Sequence, residues 1–316
     1  MTATIVATPT YKKDIYQSDF PAKGSRLVYG TSGLGGVWGE VNPTESVECL
    51  LYAFENGITT LDTSPSYSNS ELYVGKALKQ WRGERPFIST KVGRLQADSA
   101  FDAKLDYSPQ GMRKSLHHSL DLLGVEAVDL LFLHEPQWVP LERIDEILDT
   151  LQSFKKEGLT KMLGVGGNPS VAFMPYIKKD IFSVLSGFCR LDACTLTAFE
   201  SELPYLIEEG VAYYAASALH FSLLGNRFDT YTKTPPQDTE YIGETELQNA
   251  IKVNEIAKKH GIPLPTLAQR YLFSINEATR VVMGARNIKQ IQNTIDDWQQ
   301  GALPKSVFDE ITNILI

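Results

Sequence analysis

Leu130-Leu131-Phe132-Leu133-His134 is an apolar run of strand length that stops on a titratable side chain. A run this short and this apolar reads as a strand buried on both faces, as in a parallel sheet. Two earlier stretches end in the same way. One is Phe87-Ile88-Ser89-Thr90-Lys91; the other is Leu61-Asp62-Thr63-Ser64-Pro65-Ser66-Tyr67, which continues Ile58-Thr59-Thr60. Strands of this kind aim their terminal groups at one rim, and a parallel β/α barrel carries its chemistry on the rim at the strands' C-terminal ends. Asp62, Tyr67, Lys91 and His134 are therefore the candidate reactive group.

Outward from these runs, helix signals alternate with strand signals. Asn42-Pro43-Thr44-Glu45 predicts a helix start, with Asn42 as cap, Pro43 in the first turn, Glu45 completing a capping box and Gly57 ending the helix. Residues 70–81 predict the next helix. Ser108-Pro109 opens another that Gly124 ends, and Leu141, Ile144, Ile147, Leu148, Leu151 and Phe154 fall at helical spacing before Gly158. Later units end at Gly210 and Gly261. Candidate strands begin at Leu27, Ile58, Phe87, Val128, Lys161, Phe182, Val211 and Thr279. Eight is the number that closes a barrel. The expected fold is α/β, a single (β/α)8 TIM barrel domain with its core at about residues 27–297, an N-terminal extension and a C-terminal helix. Residues 226–243 have no apolar period and read as a long loop, either folded over a ligand or a plain surface excursion.

A doubly wound sheet is the competing architecture, and Gly33-Leu34-Gly35-Gly36 would be its mark. The spacing lacks the third glycine of a dinucleotide fingerprint, and Trp38, Gly39 and Pro43 interrupt the helix that should follow. No Walker-type phosphate loop is present either.

The 316 residues carry a formal charge of -8 with a hydrophobic fraction of 43%, enough for a large core and against a nucleic-acid partner. No stretch is long and apolar enough to span a membrane, and the first residues do not read as a secretory signal. Cys49, Cys189 and Cys194 show neither a disulfide framework nor metal-ligand spacing. The expectation is an unprocessed cytoplasmic protein with a small-molecule partner and no metal.

If the four rim residues converge, their types define a proton-transfer chemistry. A phenol can donate to a carbonyl oxygen or accept from an alcohol, which makes Tyr67 the acid/base. A neighbouring Lys91 cation would favour the phenolate, and Asp62 would keep a buried Lys91 charged. His134 could hydrogen-bond the same substrate oxygen. Each residue alone has a plainer reading as a packing, capping or solvated rim group, whereas four complementary types at three successive strand ends would be an unusual coincidence. No Gly-x-Ser-x-Gly elbow accompanies them.

Asp62 and Tyr67, then Ser70-Glu71-Leu72-Tyr73-Val74-Gly75-Lys76-Ala77-Leu78, Ser89-Thr90-Lys91 and Phe132-Leu133-His134, resemble the aldo-keto reductase superfamily in type and order. The stretches 29–39 and 62–67 look most like its aldose (galactose, fucose and arabinose) 1-dehydrogenase branch. The resemblance implies a (β/α)8 barrel that binds NAD(P) without a Rossmann loop and moves a hydride between nicotinamide and a carbonyl or lactol carbon. It gives Tyr67 the acid/base role, Lys91 and Asp62 the tuning of it, and His134 the orienting of substrate.

By the same resemblance, the cofactor positions are Thr31, Ser32, Asn168, Ser186, Ser217, Ala218, Leu219, Gly284, Ala285, Arg286, Gln290 and Asn293. A glycine, Gly167, stands before Asn168 where relatives carry serine, and Cys189 stands where a stacking tyrosine is usual, with Phe188 as a substitute. Arg286 could meet a 2'-phosphate, but Gln290 replaces the further basic residue of NADP-specific members. The cofactor expected is NAD, with NADP tolerated. Trp38 and Trp138 are the candidate substrate-stacking residues at the pocket mouth. Two other readings stand beside this one: a nucleotide-binding sensor barrel without turnover, and an aldolase using Lys91 as a Schiff base.

Overall fold

The apolar runs form strands, and eight of them hydrogen-bond into one closed ring. The computed structural model describes residues 8–237 and 241–316. A short antiparallel pair, β1 (Gln17–Ser18) and β2 (Gly24–Ser25), precedes the barrel. The barrel strands are β3 (Leu27–Gly30), β4 (Thr60–Asp62), β5 (Phe87–Val92), β6 (Val128–His134), β7 (Thr160–Gly166), β8 (Val184–Phe188), β9 (Ala212–Ala216) and β10 (Arg280–Gly284). All pair in parallel in chain order, and β10 closes on β3 with Val281 opposite Leu27 and Gly284 opposite Gly30.

Alternation along the strands separates two cores. Val28, Leu130, Phe132, Val184, Ala212, Tyr214 and Val282 pack together inside the ring, with Phe87 and Met162 against them. Their strand neighbours, such as Leu27, Ile88, Leu131 and Val281, pack outward against the helices. Asp62, Lys91 and His134 continue the inward series Thr60-Asp62, Phe87-Ser89-Lys91 and Leu130-Phe132-His134. Each is thereby carried to the C-terminal mouth by strand parity alone.

Two arginines close the other end. Arg26 is 1% exposed and donates to the carbonyls of Phe273, Ile275 and Ala278. Arg280, also fully buried, donates to Thr60 Oγ1 and to the carbonyl of Ala22 in the turn between β1 and β2. A buried guanidinium is tolerable where its donors are met, as those of Arg26 are by three carbonyls; Arg280 Nε has no partner among the described residues.

The helix caps follow the sequence signals with one difference. Asn42 accepts from the backbone of Thr44 and Glu45 at the start of helix Pro43–Glu55, and Ser108 accepts from Gly111 N at the start of Pro109–Leu123. Gly124, Gly210 and Gly261 take left-handed C-cap conformations. Glu45, however, does not complete a capping box: its Oε1 accepts from Ile288 N at 3.2 Å, at the start of helix Ile288–Gln299. The free N–H of a second helix end competes successfully for the carboxylate. Four strands also begin later than expected, at Thr60, Val184, Ala212 and Arg280; Ile58 N is taken by the Ala53 carbonyl and Phe182 N by the Lys178 carbonyl, each in a turn. The segment 226–243 contains a short helix, Phe228–Lys233, too brief to show an apolar period. No helix among the described residues is long and apolar enough to cross a membrane.

Candidate active site

The topmost inward positions of the eight strands are Gly30, Asp62, Lys91, His134, Gly166, Phe188 (with Ser186 below it), Ala216 and Gly284, and all line one cleft. Three consecutive strands supply the ionisable groups; the other five supply none, and all but Phe188 of their end residues are small. The chemistry is therefore gathered on one side of the mouth, and space is left on the other. The cleft has a volume of about 3150 Å³, well beyond the roughly 300–1,000 Å³ of an ordinary small-molecule pocket.

Lys91 Nζ lies 2.7 and 2.6 Å from the two oxygens of Asp62 and donates to the carbonyl of Thr63 at 2.8 Å. Ser89 Oγ donates to Asp62 Oδ1 at 2.8 Å, so the carboxylate is fixed from both sides. Tyr67 ends the short helix Pro65–Tyr67 directly after β4, a turn capped by the Ser64 side chain. Its ring centroid is 4.8 Å from Lys91 Nζ and 6.2 Å from the His134 ring, which it meets edge-on at 90°. His134 Nδ1 is 3.4 Å from Ser64 Oγ.

The electrostatics give each group a protonation state. Burial is the largest single influence and would strip the proton from Lys91, but the charges and hydrogen bonds of Asp62 and Tyr67 together outweigh it and hold the ammonium above the usual lysine range. A cation engaged by Asp62 and the Thr63 carbonyl is a poor Schiff-base nucleophile, which removes the aldolase reading. Burial raises the Tyr67 phenol above its ordinary value, and the Lys91 charge offsets only part of the shift. The sequence expectation of an easily ionised phenol is thus reversed in sign: Tyr67 holds its proton at neutral pH. Burial, reinforced by the Lys91 and Arg94 charges, keeps His134 well below the usual histidine range and therefore neutral.

The cleft brings Ser32, Asn168, Ser186, Ser217, Ala218, Leu219, Gly284, Ala285, Arg286, Gln290 and Asn293 together with Trp38 and Trp138. Thr31 is the exception. It is fully buried behind the rim, its hydroxyl 2.9 Å from the Asp62 carbonyl and 2.5 Å from Ser70 Oγ, so it braces β3 against β4 and does not face a ligand. Asn168 bridges strands, accepting from Phe188 N and donating to Phe188 O at 3.1 Å each. Gln290 Oε1 accepts from Arg286 N at 2.8 Å. Trp38 and Trp138 stand 43% and 62% exposed at the mouth, and Trp38 meets Phe101 edge-on at 6.0 Å.

Several features of the site had no sequence signal. A Cβ on Gly35 would lie 1.7 Å from the Tyr67 carbonyl oxygen, so the glycine-rich stretch serves close packing on the Tyr67 turn. Tyr107 Oη contacts the carbonyls of His134 and Glu135 at 2.9 Å each, and Glu135 sits at φ 56, ψ 62. That left-handed residue lets His134 and Glu135, adjacent in the chain, both line the cleft. Tyr241 stacks near Phe188 and Phe221, with centroids 5.1 and 5.6 Å away. Asp192, Cys194 and His220 bring possible ligand atoms within 4.8 Å of one another. These atoms are already engaged: His220 Nδ1 is 2.7 Å from Asp192 Oδ2, its Nε2 is 2.5 Å from the Tyr241 carbonyl, and Cys194 Sγ is 3.1 Å from Asp192 Oδ1.

A barrel with a Tyr, Lys, Asp and His at one half of its mouth defines a class, and comparison places the chain within it. Residues 26–316 match the model of the aldo/keto reductase family, and the chain belongs to that family. It is 30% identical over 282 residues to L-galactose dehydrogenase of Arabidopsis thaliana, covering 86% of this chain and 84% of that protein. It is 26% identical to D-threo-aldose 1-dehydrogenase of a Pseudomonas species, covering 84% and 87% respectively. An aldo-keto reductase from Bacillus halodurans superposes with a TM-score of 0.78 over 97% of each chain at 22% identity, a likeness of fold. The protein is thus an NAD(P)-dependent oxidoreductase. The cleft fits such a cofactor by size, and by a donor set running from Asn168 and Ser186 through Ser217 to Arg286 and Asn293.

Proposed function

We propose that this barrel, a single domain with its core at about residues 27–297, oxidises or reduces a sugar-type lactol or small hydroxylated aldehyde in the cytoplasm. The bound nicotinamide nucleotide supplies or removes the hydride. Tyr67 gives the substrate oxygen its proton in reduction and takes it back in oxidation. Lys91, kept cationic by Asp62, lowers the cost of the phenolate left behind. Neutral His134 offers a hydrogen bond to the same oxygen and fixes its direction. Asn168 and Ser186 orient the nicotinamide end; Ser32, Ser217, Ala218 and Leu219 flank the pyrophosphate; Gly284, Ala285, Arg286, Gln290 and Asn293 hold the adenosine end. Trp38 and Trp138 stack on the substrate.

The observation that carries this reading is the Lys91–Asp62 pair at 2.6 Å with the Tyr67 ring 4.8 Å from the same ammonium. The aldose dehydrogenase relatives support the substrate class. NAD is favoured over NADP because Gln290 adds no charge beside Arg286 and Glu45 already occupies the Ile288 N–H at the same helix start. An acidic group there disfavours a second anion. The experiment is a spectrophotometric assay of aldoses and short aldehydes with each nucleotide. Turnover of hydroxylated substrates with NAD is expected, and no turnover despite tight nucleotide binding would favour a sensor.

A further inference from the structure

Across the barrel mouth from Lys91, the turn after β9 is held in an unusual shape. Ser217, His220, Phe221 and Ser222 all take left-handed backbone angles, with φ of 66, 44, 50 and 71°. None is glycine, and such residues persist only where surrounding contacts fix them. Ser217, Ala218 and Leu219, in the same turn, line the cleft.

The fixing contacts come from His220, which is 1% exposed. Its Nδ1 lies 2.7 Å from Asp192 Oδ2, in the loop after β8, and its Nε2 lies 2.5 Å from the Tyr241 carbonyl. Asp192 Oδ1 also accepts from the Cys194 N–H and thiol, as a carboxylate does. A carboxylate and a carbonyl only accept, so both ring nitrogens must donate, and the ring that satisfies them is the imidazolium. Glu246, on helix Glu244–His260, adds a second negative charge, and burial keeps the thiols of Cys189 and Cys194 beside Asp192 protonated. The charge that changes between neutral and alkaline pH is thus that of His220.

We infer that His220 is a positioning residue for the nucleotide, holding the Ser217-Ala218-Leu219 turn in its binding shape by bridging Asp192 and the Tyr241 carbonyl. The inference rests on the reading that this turn flanks the pyrophosphate. The proton on the bridge and the nucleotide in the cleft then favour one conformation, so each strengthens binding of the other. A neutral His220 leaves either Asp192 or the Tyr241 carbonyl without its donor, and the strained turn is free to relax.

The test measures dissociation constants for NAD and for adenosine, which lacks the pyrophosphate. Calorimetric titrations compare the wild type, His220→Asn and Asp192→Asn between pH 6 and pH 10. Asparagine tolerates a left-handed backbone, so His220→Asn removes the bridge without adding backbone strain. Wild-type affinity for NAD should hold from pH 6 to pH 8 and fall about tenfold as pH rises through about 9, where His220 loses its proton. Both variants should bind NAD about tenfold more weakly at pH 7 without that fall, while all three proteins bind adenosine alike. A flat wild-type profile with unchanged variants would overturn the inference alone. Equal weakening of adenosine would show a general loss of the cleft and would also overturn the positioning role. NAD bound by the wild type no more tightly than adenosine would instead remove the pyrophosphate reading beneath it.

Discussion

Gly35 and Tyr67 touch through their backbones, with the Asn69 N–H donating to the Gly35 carbonyl at 3.1 Å and no space for a side chain between them. The turn that presents the phenol is thus positioned from behind by a residue that contributes no functional group. Gly35→Ala should displace the Tyr67 turn and lower kcat about a hundredfold, the scale of a 1 Å misplacement. Steady-state kinetics beside a thermal melt would show it; a variant with normal kcat would mean that this contact does not position the phenol.

Tyr67→Phe should cut turnover by about a hundredfold to ten-thousandfold, the usual worth of a positioned proton donor. Nucleotide affinity, measured by fluorescence titration, should stay as in the wild type. Retained turnover would remove Tyr67 from the acid/base role.

The raised phenol sets the direction of the pH dependence. Oxidation needs the deprotonated form, so its rate should still be climbing at pH 10, while reduction should hold steady through the neutral range and decline only at high pH. An oxidation profile that levels off near neutrality would contradict a phenol held above its ordinary value.

How much of this was legible in the chain depends on the range of the signal. The inward series ending in Asp62, Lys91 and His134 is a local, period-two pattern, so both the barrel and the meeting of these side chains follow from residues a few places apart. Tyr67 was legible as the polar end of the same β4 run. The Gly35 contact and the His220–Asp192 pair are made by chain folding over longer distances, and no local spacing announces them. Thr31 was misplaced for a related reason: a threonine beside a glycine-rich loop looks available to a ligand until Ser70 and the Asp62 carbonyl are seen to engage it.

Burial is the largest single influence and would lower the pKa of His220, yet the Asp192 charge and hydrogen bond, with the Tyr241 carbonyl and the Glu246 charge, together outweigh it and raise the group to about 9. Because the folded value exceeds the unfolded one, the stabilisation is complete below about pH 6.5 and is lost as pH climbs through about 9. Its upper bound is roughly 3 kcal/mol. Denaturant melts at pH 6 and pH 10 should show the loss in the wild type and a much smaller one in Asp192→Asn; equal slopes would dismiss the pair as a stabilising element.

Glu71 behaves in the opposite chemical sense. Burial pushes its carboxyl up to about 7 despite hydrogen bonds from Thr90 and Ser119. The protonated form is favoured in the fold, so its contribution is fullest below the unfolded value and falls as pH rises through about 7. Glu71→Gln should therefore be at least as stable as the wild type at pH 8 and relatively weaker at pH 4. A variant less stable at pH 8 would show that the ionised carboxylate is what the fold requires.

The division of the mouth, with reactive side chains on β4, β5, β6 and the turn after β4 and, Phe188 apart, small residues ending the remaining strands, has an engineering corollary. Where bonds are made is written into ladder register; which molecules are admitted is written into loops anchored elsewhere. Transplanting the segment after β5 or the one after β9 from a relative should re-tune clientele while leaving the reaction centre in place, so selectivity and reactivity in this scaffold can drift on separate schedules.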